Sequence, residues 1–501
     1  MGRHTQLERP AALEDDPGAP APRAPLPRPL SDRPAALSVL GWGATARAIL
    51  PAFLITRGVV LAAALIGIAL WGVHDASAVY DPAALTTGLG AVGDRLVAPF
   101  ARWDAVWFLD IANVGYPTSY APRTAFFPLY PGILRVGGLL GSPVVVGILV
   151  SSACTFLGAM LLHRLTELEL GRPAAGAAVW VLFAFPGSLW LTAVYSEGLF
   201  LLLSVGCLYF ARERRWAMVA ILGALAAMTR SAGVVLAVPV LVMAWQGRPG
   251  APGRAWATGG PAPGAGGVGG PAGAATSGGV GRPAGAGWVA TAGAAGRDAL
   301  AELRRVVGTP AVRDALRPPV LAAAAVVGGL LLYVVGLWTA GHSLTVSFDQ
   351  QQEWGRRNVG PLQGVWEAFK AAGDGLGQIF GSATPPAVST PNADWMNPLL
   401  LVFLLTGGAA LVGAARRLPP AYAAYAGCAL LLPLSAPALA GAEPLMSLPR
   451  FLGVLFPLAM WTGWWLTRGP LRRLRGSVLL VVGVGLLALF SELTARWLFV
   501  A

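Results

Sequence analysis

Lysine is almost missing from this sequence: Lys and Arg together number 36 in 501 residues, and Lys370 is the only lysine. Charge of either sign is scarce, at 12% of residues. Cysteine is limited to Cys154, Cys207 and Cys428, all inside apolar stretches and without paired or metal-ligand spacing, which excludes a disulfide framework. His74, His163 and His342 are dispersed, so no His or Cys cluster suggests zinc. No soluble Rossmann-like pattern is present, and the cytoplasmic loops that a nucleotide-sugar would visit are short, Arg-rich or low in complexity. The first 45 residues lack the apolar centre of a secretory signal, so the first span is expected to be an uncleaved anchor. Internal repeats of the kind that mark many transporters are not visible either.

What the chain has is apolar length. Hydrophobic residues make up 55% and the mean hydropathy is +0.62, too apolar for an ordinary soluble protein. The runs are long and non-alternating, which selects helices over a closed barrel as the spanning form. We expect an all-α polytopic membrane protein with about eleven spans, each near the roughly 20 residues that cross the hydrocarbon core. They fall at 49–72, 143–163, 174–191, 195–211, 216–231, 233–246, 319–340, 397–415, 421–440, 450–467 and 477–498.

The net charge of +12 would point to nucleic acid in a soluble protein, but here the basic residues sit in short loops, where they set orientation. A cytoplasmic N-terminus places Arg164, Arg172, Arg212, Arg214, Arg215, Arg416, Arg417, Arg468, Arg472, Arg473 and Arg475 all inside. The expected organisation is a disordered cytoplasmic tail over 1–45, a first transmembrane block over 46–246, a Gly/Ala/Pro-rich cytoplasmic linker over 247–317 and a second block over 318–501. Loops 73–142 and 341–396 are then extracytoplasmic. The preference for Arg, Ala, Gly and Pro is the usage of a GC-rich bacterial genome, so the plasma membrane of such a bacterium is the expected location.

With orientation set by loop charge alone, the polar residues that a bilayer tolerates poorly collect on one face. These are "RWDAVWFLDIANVGY" (102–116), "TAFFPLYPGILR" (124–135), "AVYSEG" (193–198), "MTRSAG" (228–233), "FDQQQEWGRRN" (348–358) and "SLPRF" (447–451). In the first, Trp103, Trp107 and Ile111 follow helical spacing and Gly115 with Pro117 stops the helix, so an interfacial helix carrying Asp104 is expected. A plainer reading makes the tryptophans interface anchors and Asp104 a helix cap. Glu197 admits solvation or capping, and Arg450 admits snorkelling to lipid phosphate. Arg230 lies within an apolar hairpin, where a guanidinium is costly without an acidic partner or an anionic ligand. Arg57, in the first span, is expected to pair with an acid.

Taken in order, "RWDAVWFLDIANVGY", "AFFPLYPG", "YSEGLFLLLS", "TRSAG" and "PRFLGVLFP" resemble the PIG-V-type mannosyltransferases, the family of the second mannosyltransferase of GPI-anchor assembly, together with its bacterial relatives. The resemblance covers about residues 50 to 470; the N-terminal tail and the Gly-rich linker have no counterpart in it. It implies a GT-C-type fold whose first extracytoplasmic loop carries interfacial helices, and an inverting transfer of mannose from a polyprenyl-phosphate donor on the extracytoplasmic face. Because bacteria do not generally make GPI anchors, the eukaryotic acceptor does not carry over, and the acceptor stays open among lipid, glycan and protein.

The "WD" of the first motif places the implied general base at Asp104, with Asp110, on a different helical face, as second choice. An anionic lipid phosphate needs only cations as it leaves, and Arg230 and Arg450 are the candidates, with Arg356 behind them. Trp354 offers a face for sugar stacking. Glu197 is placed to orient the base or bind a sugar hydroxyl, Tyr195 to add a hydrogen bond, and Arg102 and Trp107 to line the substrate site. No metal ligand set is assigned, although a divalent cation between Asp104 and Glu197 stays open. Alternatives are another polyprenyl-phosphate-sugar transferase or ligase and, further off, a lipid or sugar transporter, for which midplane charges and inverted halves would be expected.

Overall fold

The computed structural model describes residues 37–74, 79–248, 308–381, 396–439 and 443–500. Residues 1–36 of the expected tail and nearly all of the expected linker lie outside them. Among the described residues the chain is helical, with isolated β-bridges at Arg356–Ala438 and Ala438–Glu443 and no strand. Five helices are long and apolar enough to cross a membrane: α1 (Leu37–Trp71), α4 (Pro143–Leu170), α9 (Pro310–Thr339), α11 (Asn397–Arg417) and α15 (Arg472–Ala495). An all-helical membrane protein follows from their length and composition.

The six other expected spans fall on helices that are short or broken. These are α5 (Arg172–Ala184), α6 (Glu197–Arg212), α7 (Trp216–Ala227), α8 (Ala237–Gln246), α12 (Pro420–Ser435) and the pair α13 (Leu448–Val454) and α14 (Phe456–Leu466). The breaks have local causes. Pro186 follows the end of α5 and opens a 3-10 turn, Pro186–Leu191; "TRSAG" ends α7 and opens a second, Ser231–Leu236; Pro457 follows the kink between α13 and α14. Non-helical backbone at membrane depth is tolerated only when protein covers it, and residues 186–200 are buried without exception. One apolar core runs from Ile49 of α1 through Phe200 of α6 and Tyr425 of α12 to Phe490 of α15, joining both expected blocks.

Three shorter helices lie between α1 and α4: a seven-residue helix at Gly90–Leu96, then α2 (Asp104–Val114) and α3 (Leu129–Gly137). A further helix, α10 (Pro361–Phe380), occupies the second long loop, where the sequence reading carried none. Its small residues Gly364, Ala368, Ala371, Ala372 and Gly375 are buried against α11 and α12, while Leu362, Trp366, Phe369, Leu376 and Phe380 are exposed. A small side for packing and a large apolar side left open make its pattern easy to miss as a helix.

Arg57 does not take the acidic partner expected of it. Its guanidinium donates to the Ser188 carbonyl (2.6 Å), the Phe183 carbonyl (3.3 Å), Ser188 Oγ (2.8 Å) and Thr192 Oγ1 (3.1 Å). The end of α5 leaves carbonyl oxygens without helical donors, and a cation inside the bundle supplies them. Arg57→Met removes these four hydrogen bonds from the bundle and should lower stability by about 2 kcal/mol. Thermal unfolding of the purified protein in detergent reads this, and an unchanged midpoint would remove Arg57 from the role.

Candidate active site

Asp104 opens α2 directly after Trp103, whose φ of 55° lies in the left-handed region that side chains rarely adopt. Tyr195 braces this turn. Its hydroxyl donates to the Arg102 carbonyl (2.9 Å) and accepts from the Asp104 amide (3.2 Å), so one phenol spans the residue on either side of the unusual φ. Tyr195 is itself held from behind: Ser151 Oγ donates to its carbonyl (3.0 Å) and lies 2.8 Å from the hydroxyl of the fully buried Tyr130, from the "AFFPLYPG" segment.

Two glycines set the depth of the charged residues. A Cβ on Gly198 would strike Ser151 O and Thr155 Oγ1 at 2.6 Å, so only glycine lets the start of α6, and with it Glu197, sit this close to α4. Gly187, in the 3-10 turn after α5, likewise lies against the Pro449 carbonyl, which seats α13 and Arg450 on that turn. The sequence segments that carry the site are therefore held together by close backbone approach.

At their meeting point is a network of opposite charges. Arg450 Nη1 lies 2.5 Å from Asp104 Oδ2 and its Nε lies 2.6 Å from Glu197 Oε1; Arg230 Nη1 lies 2.5 Å from the same Glu197 oxygen. The Glu197 side chain is 1% exposed and that of Asp104 is 24% exposed. Neither carboxylate caps its helix, since neither α2 nor α6 has a side-chain cap bond. Glu197 is not solvated; both of its carboxylate oxygens are buried without a hydrogen bond among the described residues, and its contacts to Arg450 Nε and Arg230 are ion pairs. Arg450 also lies over the Tyr195 ring, 5.1 Å from the centroid.

Phe451 is the hub that sequence reasoning passed over. Arg230, Arg356 and Arg450 place their guanidinium carbons 5.5, 5.7 and 5.9 Å from its ring centroid. Arg356 comes from the second long loop and donates to the carbonyls of Ala436 (3.1 Å) and Met446 (3.3 Å), with no carboxylate among its described partners. Burial, reinforced by Arg450 and opposed by Asp104, lowers its pKa to about 10, so it stays a cation at neutral pH. Three guanidiniums thus face two carboxylates around one ring. The only local sign of Phe451 was its place beside Arg450 in "SLPRF".

The other expected residues lie around this centre. Trp107 stacks with Tyr120 (5.9 Å, 2° between planes) and with Phe126 (5.4 Å, 15°). Trp354 meets Trp107 and Phe126 edge-on, each at 5.6 Å, and is itself partly exposed. Asp110 is held by Arg123 Nε at 2.5 Å. Arg102 is turned to the last helix: it donates to the Ala495 carbonyl (3.2 Å) and Thr86 Oγ1 (3.4 Å) and lies over Trp497. Among the described residues no three His, Cys, Asp or Glu side chains converge, and the group bridging Asp104 and Glu197 is the Arg450 guanidinium.

Fold and site together define a helical membrane protein with a buried ionic network where several broken helices meet. Residues 48–246 match the family described as Mannosyltransferase (PIG-V), which is the resemblance read from the motifs. That stretch includes Asp104, Glu197 and Arg230; Arg356 and Arg450 lie beyond it. The chain is 36% identical over 176 residues to GPI alpha-1,6-mannosyltransferase 2 of Rattus norvegicus, covering 32% of this chain and 35% of the rat protein. Identity to the Homo sapiens protein of the same name is 34% over 177 residues, with the same shares covered. GPI mannosyltransferase 2 of Yarrowia lipolytica is 27% identical over 150 residues, 30% of this chain and 41% of that one. The chain thus spans about a third of the length of the mammalian relatives it matches. No solved structure is significantly similar to it.

Removing Glu197 leaves two guanidiniums without their shared buried counter-charge, whereas removing the charge of the more exposed Asp104 leaves Arg450 still paired to Glu197. Glu197→Gln should therefore cost about 3–5 kcal/mol, and Asp104→Asn about 1 kcal/mol or less. Parallel unfolding curves in detergent test the contrast; equal costs would show that Glu197 does not hold the network.

Proposed function

We propose that this protein is a membrane mannosyltransferase that moves mannose from a polyprenyl-phosphate-mannose donor to a lipid, glycan or protein acceptor on the extracytoplasmic face, inverting the anomeric carbon, with Asp104 as general base. The observation that carries the reading is the balance of charge around Phe451: Arg230, Arg356 and Arg450 against Asp104 and Glu197. One positive charge is left over, and a phosphodiester-linked sugar brings one negative charge. A nucleotide-sugar brings more charge and a soluble body, for which the short Arg-rich loops offer no cradle.

The residues divide the work by exposure and partner. Asp104 is the more open carboxylate and so the one able to meet an incoming hydroxyl and take its proton. Glu197 is sealed in and orients: it fixes Arg450, and Arg450 fixes Asp104. The anomeric carbon passes through an oxocarbenium-like state as the bond to the lipid phosphate breaks. Arg450, Arg230 and Arg356 hold the phosphate as its charge grows, and no general acid is needed for so stable an anion. Trp354, partly exposed beside Trp107 and Phe126, supplies the stacking surface for a sugar ring. Tyr195 acts through the backbone of Asp104, and Arg102 and Asp110 support the loop around it.

Membranes containing wild type or Asp104→Asn, matched for protein, should be given labelled mannose on a polyprenyl phosphate with a host lipid extract as acceptor source. Transfer in wild type should fall by about 100-fold or more in the variant. Equal transfer would remove Asp104 as base. Efficient transfer from nucleotide-linked mannose in membranes stripped of polyprenyl phosphate would overturn the donor assignment, and preference for another lipid-linked hexose would replace mannose.

A further inference from the structure

We propose that Arg450 passes from Asp104 to the leaving phosphate in each turnover, so that Asp104 and the phosphate compete for one guanidinium and the charge state of Asp104 sets how tightly the product is held. The inference rests on the reading above and deepens it at the same site. Its ground is the way Arg450 is held. Nε is ion-paired with Glu197 Oε1 at 2.6 Å, inside the protein, while Nη1 donates to Asp104 Oδ2 at 2.5 Å, at the more open side. Arg230 shares the Glu197 oxygen, so the inner anchor has a second cation and keeps its charge throughout. The outer contact is the one that can change.

The charge balance of the step makes it change. A lone pair of the acceptor oxygen forms the bond to the anomeric carbon, the hydroxyl proton moves to the Asp104 carboxylate, and the pair of the carbon–oxygen bond goes to the phosphate. Asp104 goes from one negative charge to none as the phosphate goes from one to two. Arg450 loses a counter-charge at its outer edge at the moment one appears beside it, and a guanidinium with several N–H donors can re-aim without leaving Glu197. After transfer the Asp104 proton passes to the phosphate monoester, whose second pKa is about 6, or to water. Asp104 then retakes Arg450 and displaces the product. The base thus serves as the competitor that clears the site.

A neutral stand-in for protonated Asp104 should therefore lose transfer yet hold the product better. The probe is a short-chain prenyl phosphate monoester, titrated calorimetrically into the purified full chain in nanodiscs. Asp104→Asn should bind it at least about tenfold more tightly than wild type. Arg450→Gln should bind it more weakly, and the double variant should show no gain from Asp104→Asn. A residue with a merely structural role would give unchanged or weaker binding on substitution. Asp104→Ser carries the same expectation if the asparagine variant fails to match wild type in its melting curve.

Binding to wild type that is equal or weaker in both Asp104 variants would overturn the inference and leave the proposed reaction standing. The same gain in the Arg450→Gln background would also overturn it, by placing the competition on another cation. Failure of wild type and variants alike to bind the probe or its hexose diester would remove the prenyl-phosphate reading, and the inference with it.

Discussion

The arrangement of this protein hangs on one buried carboxylate. Glu197 sits at the first turn of α6, sealed from solvent, and pairs with two guanidiniums that arrive from distant parts of the chain. Isolated, any of the three charges would be expelled from an apolar bundle, because the solvation lost is far larger than one ion pair at the surface returns. Together they form a junction among α6, the turn after α7, and α13. Asp104 of α2 is attached to that junction through Arg450, and Arg356 is gathered with it around Phe451.

This explains why the helices break where they do. A continuous helix through 186–196 would satisfy its own backbone but would carry Glu197 elsewhere; the 3-10 turn after Pro186 instead leaves carbonyls that Arg57 must supply. The cost of interrupted helices is met with donors from neighbouring elements, as irregular backbone at membrane depth requires. The two cations in spanning or hairpin segments therefore do different jobs: Arg57 completes backbone, and Arg230 completes charge.

The part of the site legible in the sequence was the part governed by transfer cost. Arg230 stood out because an apolar hairpin penalises it, and Asp104, Glu197 and Arg450 because they recur at the ends of apolar runs. The partners were not legible. Nothing local in Tyr195 says that its hydroxyl will bridge the backbone of residues 102 and 104, nor in Arg102 that it will reach Ala495 near the far end of the chain. Trp107 reads as a free aromatic until Tyr120 and Phe126 are found stacked with it. Helix α10 escaped for a related reason: its packing side is Gly and Ala, which a hydropathy pattern does not register. Five spans were plain from length alone, and the broken ones were read as whole because hydropathy sees apolar content and not the turn inside it.

The short helices bear on how the chain enters a membrane at all. With twelve residues, α7 is about 18 Å long, well short of the roughly 30 Å of hydrocarbon, and the turn that follows carries Arg230. Such a hairpin is a poor substrate for independent insertion. It becomes stable when α9 packs along α7 and when Glu197 and Phe451 receive its guanidinium. Both α9 and Phe451 lie beyond the Gly/Ala/Pro-rich stretch, so the packing that α6 and Glu197 begin around this hairpin is finished by elements from the second half of the chain.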